Sequence, residues 1–287
     1  MLLSEAFEQY RLEVVVLMNM SSRTEESVKT SQRVFTSYFK DLDITDLTID
    51  HIRQWHVRQL GRKLSPDTIR GYLLHMRVVL RHCKLKGISV LDPALITVPK
   101  RQPKVPDFLE PKDVDVLIES FSKCRGRSKE ATLRNKAIIS LLYASGMRCD
   151  ELCSLLISNV HERRATIVGK GNKPRLVFWD ERSECLIRDY LAIRKDNKPH
   201  LFVSPNTKKK LSRHDIGDIF RWLQKNTEYK NIHAHTLRHT YATHLAQNGM
   251  PIHSLQRLLG HANLSTTSQY LHVSDIRLEE EYARFHT

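Results

Sequence analysis

Four prolines in one short stretch decide how this chain can fold. Pro93, Pro99, Pro103 and Pro106 all fall between Leu91 and Phe108. Each removes a backbone donor and disfavours helix at the residue before it. No long helix or central strand can run through such a segment, so it reads as an extended linker. The 287-residue chain is therefore expected to divide near Lys104. The expected parts are a first domain over 1-98, a linker over 99-108 and a second domain over 109-287.

The two parts differ in texture. Residues 1–90 read as nearly all helix, with stretches at Leu3–Met18, Thr24–Phe39, Ile49–Leu60 and Pro66–Cys83. Ser65-Pro66-Asp67 is a helix start, with Ser as the cap, Pro at the first helical position and Asp in the first turn. Behind it Ile69, Leu73, Met76 and Leu80 fall on one stripe at helical spacing. After the linker, Leu133–Ser145 is a strongly apolar helix closed by Gly146. Ala165–Val168 and Leu176–Trp179 are strand-like and are joined by Gly169-Lys170-Gly171-Asn172-Lys173, a hairpin turn. Leu211–Gln224, Leu237–Asn248, His253–Leu259 and Ser265–His272 return to helix. The fold class is mainly α with a small β-sheet in the second domain.

Charge narrows the partner. The chain carries a formal net charge of +14. Residues 1–50 are acidic, with 5 basic and 9 acidic side chains, whereas residues 51–106 hold 12 basic and 2 acidic ones. Such a concentrated excess points to a polyanion, nucleic acid first. Arg70, Arg77 and Arg81 form a stripe beside the apolar face of their helix, and Lys100, Arg101 and Lys104 follow in the linker. These six, with Lys173 in the hairpin turn and Arg175 just after it, are the candidate nucleic-acid contacts. A solvated basic face is the competing reading for any one helix.

Other classes fall away. No apolar run approaches the roughly 18–20 residues that span a bilayer. The opening MLLSEAFEQY has neither a basic nor an apolar signal region. The five cysteines are odd in number and widely spaced, which fits a reducing cytosol. The expected location is cytoplasmic, at the nucleoid. Gly169 and Gly171 lack the spacing of a nucleotide-binding loop. His235 and His239 stand four apart, as paired metal ligands do. Arg238 between them would repel a cation, so no metal and no cofactor is expected.

Four segments of the second domain belong together: SGMRCDEL (Ser145–Leu152), VGKGNKPR (Val168–Arg175), HTLRHTYATH (His235–His244) and LLGHANLSTTSQYLH (Leu258–His272). In this order and spacing they resemble the tyrosine recombinases, the integrase family, and within it the Xer-like branch. The resemblance covers essentially the whole chain. It implies a C-shaped clamp of a helical core-binding domain and a catalytic domain around double-stranded DNA, with no membrane and no small-molecule substrate.

Carried over residue by residue, the resemblance implies that Tyr270 is the nucleophile. Arg148 and Arg238 would clamp the scissile phosphate, and His235 and His261 would donate to its oxygens. Lys170 would protonate the leaving 5′ oxygen. Glu151 would orient Arg148, and His239 would support its neighbours. Leu278, Tyr282 and Phe285 form an apolar stripe, expected to dock on a neighbouring protomer of a homo-tetramer, or of a tetramer shared with a paralogue. The chain opens directly on the core-binding helices, so recombination at simple sites is expected: dimer or cointegrate resolution, or movement of a small element. Two alternatives stay open on the sequence, a catalytically idle DNA-binding protein and a relaxing topoisomerase of the same chemistry.

Overall fold

In a computed structural model, the chain divides into two compact units, Met1–Lys104 and Val105–Thr287. The structure describes residues 1–100, 107–124, 126–169, 174–204, 207 and 209–260.

The first unit is helical: α1 (Leu3–Tyr10), α2 (Ser22–Phe39), α3 (Ile49–Gly61) and α4 (Pro66–Leu85). Ser21, Thr48 and Ser65 cap α2, α3 and α4, each accepting from the backbone N–H three residues on. Amphipathic faces bury Phe7, Phe35, Trp55, Leu73 and Met76 in one core, where the Phe35 and Trp55 rings lie 4.7 Å apart. The expected helix over Leu3–Met18 is not uniform. It widens to a π-helix over Arg11–Val16, with Leu17 N–H donating to the Leu12 carbonyl five residues back. Val14, Val15 and Val16 are poor helix formers in a row, which weakens the α register there. On α4 the apolar stripe is buried as its spacing predicts, and it extends to Val79 and Cys83. Arg77 is half-buried beside it and Arg81 is exposed. Arg70 is half-buried and donates to the Pro99 carbonyl at 2.7 Å, tying the start of the linker to α4.

The second unit is built around one buried helix. After α5 (Pro111–Ser120) comes α6 (Lys129–Ser145), which buries residues on every face, Ile138, Ile139, Leu141 and Leu142 among them. A helix buried on most of its faces belongs inside a domain. It ends at Gly146 in a left-handed conformation, φ +58°. A short α7 (Cys149–Ser154) follows. Three antiparallel strands, β1 (Val160–His161), β2 (Arg164–Val168) and β3 (Pro174–Phe178), form one sheet in chain order. Ala165 and Ile167 of β2 and Val177 of β3 face the core. The register sets Ala165 opposite Val177 and Ile167 opposite Arg175.

The chain then adds α8 (Glu181–Ile193), α9 (Arg213–Asn226), α10 (Ala234–Gln247) and α11 (Ile252–Leu259). The sequence leaves α8 and β1 unmarked, and it puts the start of β3 two residues late. Helix α10 packs on α6, and α11 packs on α10 and β3. Among the described residues no helix is long and apolar enough to cross a membrane.

Candidate active site

The site forms where the end of α6, the start of α7, β3, α10 and the end of α11 meet. Arg148 is the N-cap of α7. Glu151 lies in the first turn of that helix and accepts from the Arg148 backbone N–H at 2.6 Å, satisfying a donor that the helix leaves open. The same carboxylate meets the Arg148 guanidinium, Nη1 to Oε1 at 3.0 Å. The Glu151 side chain is 5% exposed, and that of Arg148 is 33% exposed. Glu151 thus holds the Arg148 side chain while leaving part of it open.

Arg238 reaches the same place from α10. Its side chain is fully buried, with Arg238 1% exposed. Nη1 donates to the Gly146 carbonyl at 2.7 Å and Nη2 to the Leu259 carbonyl at 2.5 Å. Arg148 Nη2 donates to the next carbonyl, that of Gly260, at 3.2 Å. Arg175 donates to the one before, that of Leu258. Three arginines therefore take three successive carbonyls at the end of α11. Those carbonyls lack helical partners and carry the negative end of the helix dipole, so cations suit them.

Two glycines make the approach possible. Gly146 has φ +58°, and a Cβ there would lie 2.3 Å from the Tyr241 ring. Gly260 has φ +62°, and a Cβ would lie 2.8 Å from Arg175 Cδ and 3.0 Å from its Nε.

His235 stands at the start of α10 and is exposed. His239 is half-buried one turn on, its ring 4.3 Å from that of His235 at 72°. Desolvation by the surrounding protein, then the positive charges of Arg238, His233 and Arg148, push His235 below the ordinary imidazole value. Burial, with His235 and Arg238 behind it, takes His239 down to about 4. Both rings are therefore neutral at pH 7. A neutral His235 can still donate one hydrogen bond. Tyr241 is pushed above the ordinary phenol value by burial, which keeps it protonated. Among the described residues no group of three or more His, Cys, Asp or Glu side chains could hold a metal ion.

Arg148, Glu151, His235, Arg238 and His239 come together as one site. Lys170, Lys173, His261, Tyr270, Leu278, Tyr282, Phe285, Arg101 and Lys104 lie outside the described residues. Lys100 is exposed. Arg175, a candidate DNA contact by its charge, has a side chain only 9% exposed and bound to Glu151 at 2.7 Å. The cause is register, since directly opposite residues in a sheet share a face and Ile167 faces inward. Tyr241, one turn past Leu237 in HTLRHTYATH, went unread in the sequence; only its distance from Arg238 could have marked it.

Residues 107–277 match the phage integrase family. Over 254 residues the chain is 34% identical to the tyrosine recombinase XerD of Halalkalibacterium halodurans, covering 85% of this chain and 82% of that protein. It is 30% identical over 293 residues to the tyrosine recombinase XerC of Pelobacter propionicus, covering 99% and 96%. In fold it is similar to the Tn1549 transposon integrase solved with circular intermediate DNA, with a TM-score of 0.76, 21% identity and coverage of 98% and 99%. The XerH site-specific recombinase bound to its difH substrate gives a TM-score of 0.70 at 21% identity, covering 98% and 83%.

The chain belongs to the phage integrase family, whose members named here are tyrosine recombinases. Within that family it is Xer-like, a site-specific DNA recombinase. The idle DNA-binding protein and the relaxing topoisomerase are not favoured.

Proposed function

We propose that Arg148 and Arg238 hold one scissile phosphate of double-stranded DNA while Tyr270 attacks it. The observation that carries this is their convergence on adjacent carbonyls, Gly260 and Leu259, at the point where the chain runs into His261. Two side chains that donate to neighbouring acceptors can also donate to two oxygens of one phosphate. A phosphate carries a full charge where a carbonyl carries a partial one, so it competes well for the same donors.

The chemistry fits these residue types. Attack on a phosphodiester builds negative charge on its non-bridging oxygens. Arginines stay charged and present a planar fork of donors, so they can stabilise that charge without a metal ion. The Tyr270 oxygen bonds to phosphorus as its proton passes to a neutral imidazole of the site or to water, the bond from phosphorus to the 5′ oxygen breaks, and Lys170 gives that oxygen a proton. His235 and His261 donate to the remaining oxygens. The 3′-phosphotyrosine keeps the energy of the broken bond. A 5′ hydroxyl from the partner strand reverses the step without ATP, and this exchange is recombination.

Exposed or partly exposed Arg77, Arg81 and Lys100, with Arg101, Lys104 and Lys173, would hold the flanking duplex. A tetramer on paired sites would complete the enzyme, with Leu278, Tyr282 and Phe285 docking on a neighbour. The biological reaction is then dimer or cointegrate resolution, or integration and excision.

A suicide DNA substrate, from which the cleaved 5′ end diffuses away, tests the assignment. The enzyme should become covalently trapped. Tyr270→Phe should bind the site and not trap. Trapping that survives in Tyr270→Phe would remove Tyr270 from the role.

A further inference from the structure

Arg175 is a buried charged side chain that the reaction as described does not use. It comes from β3, between Pro174 and Leu176, and points to the core side of the sheet opposite Ile167. Its guanidinium makes two bonds in different directions. Nη2 meets Glu151 Oε2 at 2.7 Å, and Nη1 donates to the Leu258 carbonyl. Glu151 Oε2 also accepts from the Arg148 backbone N–H, and Oε1 meets the Arg148 guanidinium. One buried carboxylate is therefore shared by two arginines.

We propose that Arg175 is a positioning residue for recombination: it shares the Glu151 carboxylate with Arg148 and fixes the end of α11 beside the site. The inference rests on the reading that Arg148 binds the scissile phosphate.

The argument is one of charge and geometry. Glu151 and Arg148 alone form a neutral pair, and a neutral pair attracts a phosphate weakly. With Arg175 the cluster of three carries a net positive charge. In a site of low dielectric that difference is felt strongly, because Coulomb energies there are several times larger than in water. Arg175 therefore lets Glu151 orient Arg148 without cancelling its charge.

The second bond acts on position. Leu258, Leu259 and Gly260 lead directly into His261, and the Arg175 side chain lies against Gly260 so closely that a Cβ would clash. The hairpin strand, α7 and the α11 end are thus joined through one guanidinium. A lysine could hold Glu151 as a point charge, but it lacks the planar fork that serves both acceptors at once.

The test uses the full-length enzyme and single-turnover trapping on a suicide DNA substrate, with DNA affinity measured in parallel. Arg175→Gln is expected to slow trapping about 10- to 100-fold, somewhat less than the loss of a direct donor to the reacting oxygens. DNA affinity should change less than about fivefold, because one buried side chain adds little to phosphate contacts. The deciding variant is Arg175→Gln combined with Glu151→Gln. With the carboxylate gone, Arg148 keeps its charge, so the double variant should trap faster than Arg175→Gln alone.

Trapping by Arg175→Gln at the wild-type rate would overturn the proposal. So would a double variant as slow as Arg175→Gln or slower, which is what a purely structural side chain gives. Should Arg175→Gln not fold, Arg175→Lys decides: it keeps the charge and should lose less than tenfold, and a larger loss in a folded, DNA-binding protein overturns the proposal. Failure of the wild-type enzyme to trap would count against the proposed function instead.

Discussion

Gly146 lies against the ring of Tyr241 so closely that a Cβ on the glycine would come within 2.3 Å of Tyr241 Cδ1. The same residue offers its carbonyl to Arg238 at 2.7 Å, and Arg148 follows two positions on. The turn that ends α6 therefore sets both arginines at once. Its conformation, φ +58°, is one that only glycine adopts freely.

Gly146→Ala should be costly for two reasons, the left-handed backbone and the clash with Tyr241. Each contributes about 1–3 kcal/mol. The melting temperature of the second unit is expected to fall by roughly 5–15 °C, given its size. Adding Tyr241→Ala should relieve the clash and not the backbone strain, although it leaves a cavity of its own. A Gly146→Ala protein that melts with the wild type would contradict the packing described.

The histidines give a pH dependence whose sign is fixed. His239 titrates at about 4 in the folded protein against 6.5 ordinarily. Between those values the unfolded chain takes up a proton that the folded one refuses. The stability from keeping His239 neutral is thus fully present above pH 6.5 and is lost as pH falls from 6.5 towards 4. His235 is shifted the same way, as are His75 and His200. The melting temperature should drop between pH 7 and pH 5, and His239→Gln should flatten part of that slope. An NMR titration of the His239 ring with a midpoint at or above 6.5 would contradict the buried, cation-crowded setting.

Much of this was legible in the sequence because it is periodic or punctuated. The α4 stripe and the Ser65-Pro66 start both appear where their spacing puts them, and Gly146 ends α6. What the sequence hid was direction. A charged residue reads the same whether it faces water or a buried carboxylate, so Arg175 looked like a surface contact. Only the register opposite Ile167 turns it inward. β1 was hidden for a related reason. Its hairpin turn, Glu162-Arg163, has φ of +39° and +62° without the Asn-Gly or Gly-Gly pair that usually announces such a turn. α7 is six residues long, and its start is defined by the Arg148–Glu151 cap.

DNA binding should be steeply dependent on salt, as contacts to phosphate are. Arg77→Ala and Arg81→Ala should each weaken binding about equally on any sequence and reduce the slope of log affinity against log salt by roughly one. Arg70→Ala should reduce it less, because that guanidinium already holds the Pro99 carbonyl. Slopes unchanged in both Arg77→Ala and Arg81→Ala would remove this face of α4 from the interface.

The central claim is that Arg148 and Arg238 act on one phosphate as a unit. Single-turnover trapping on the suicide substrate by Arg148→Ala, Arg238→Ala and the double variant tests it most directly. Each single variant should lose about a hundredfold or more in rate, the scale for one donor to a developing oxyanion, while still binding DNA. The double variant should lose much less than the product of the two, since residues that work together are not additive. Wild-type trapping rates in either single variant, with binding intact, would contradict the account.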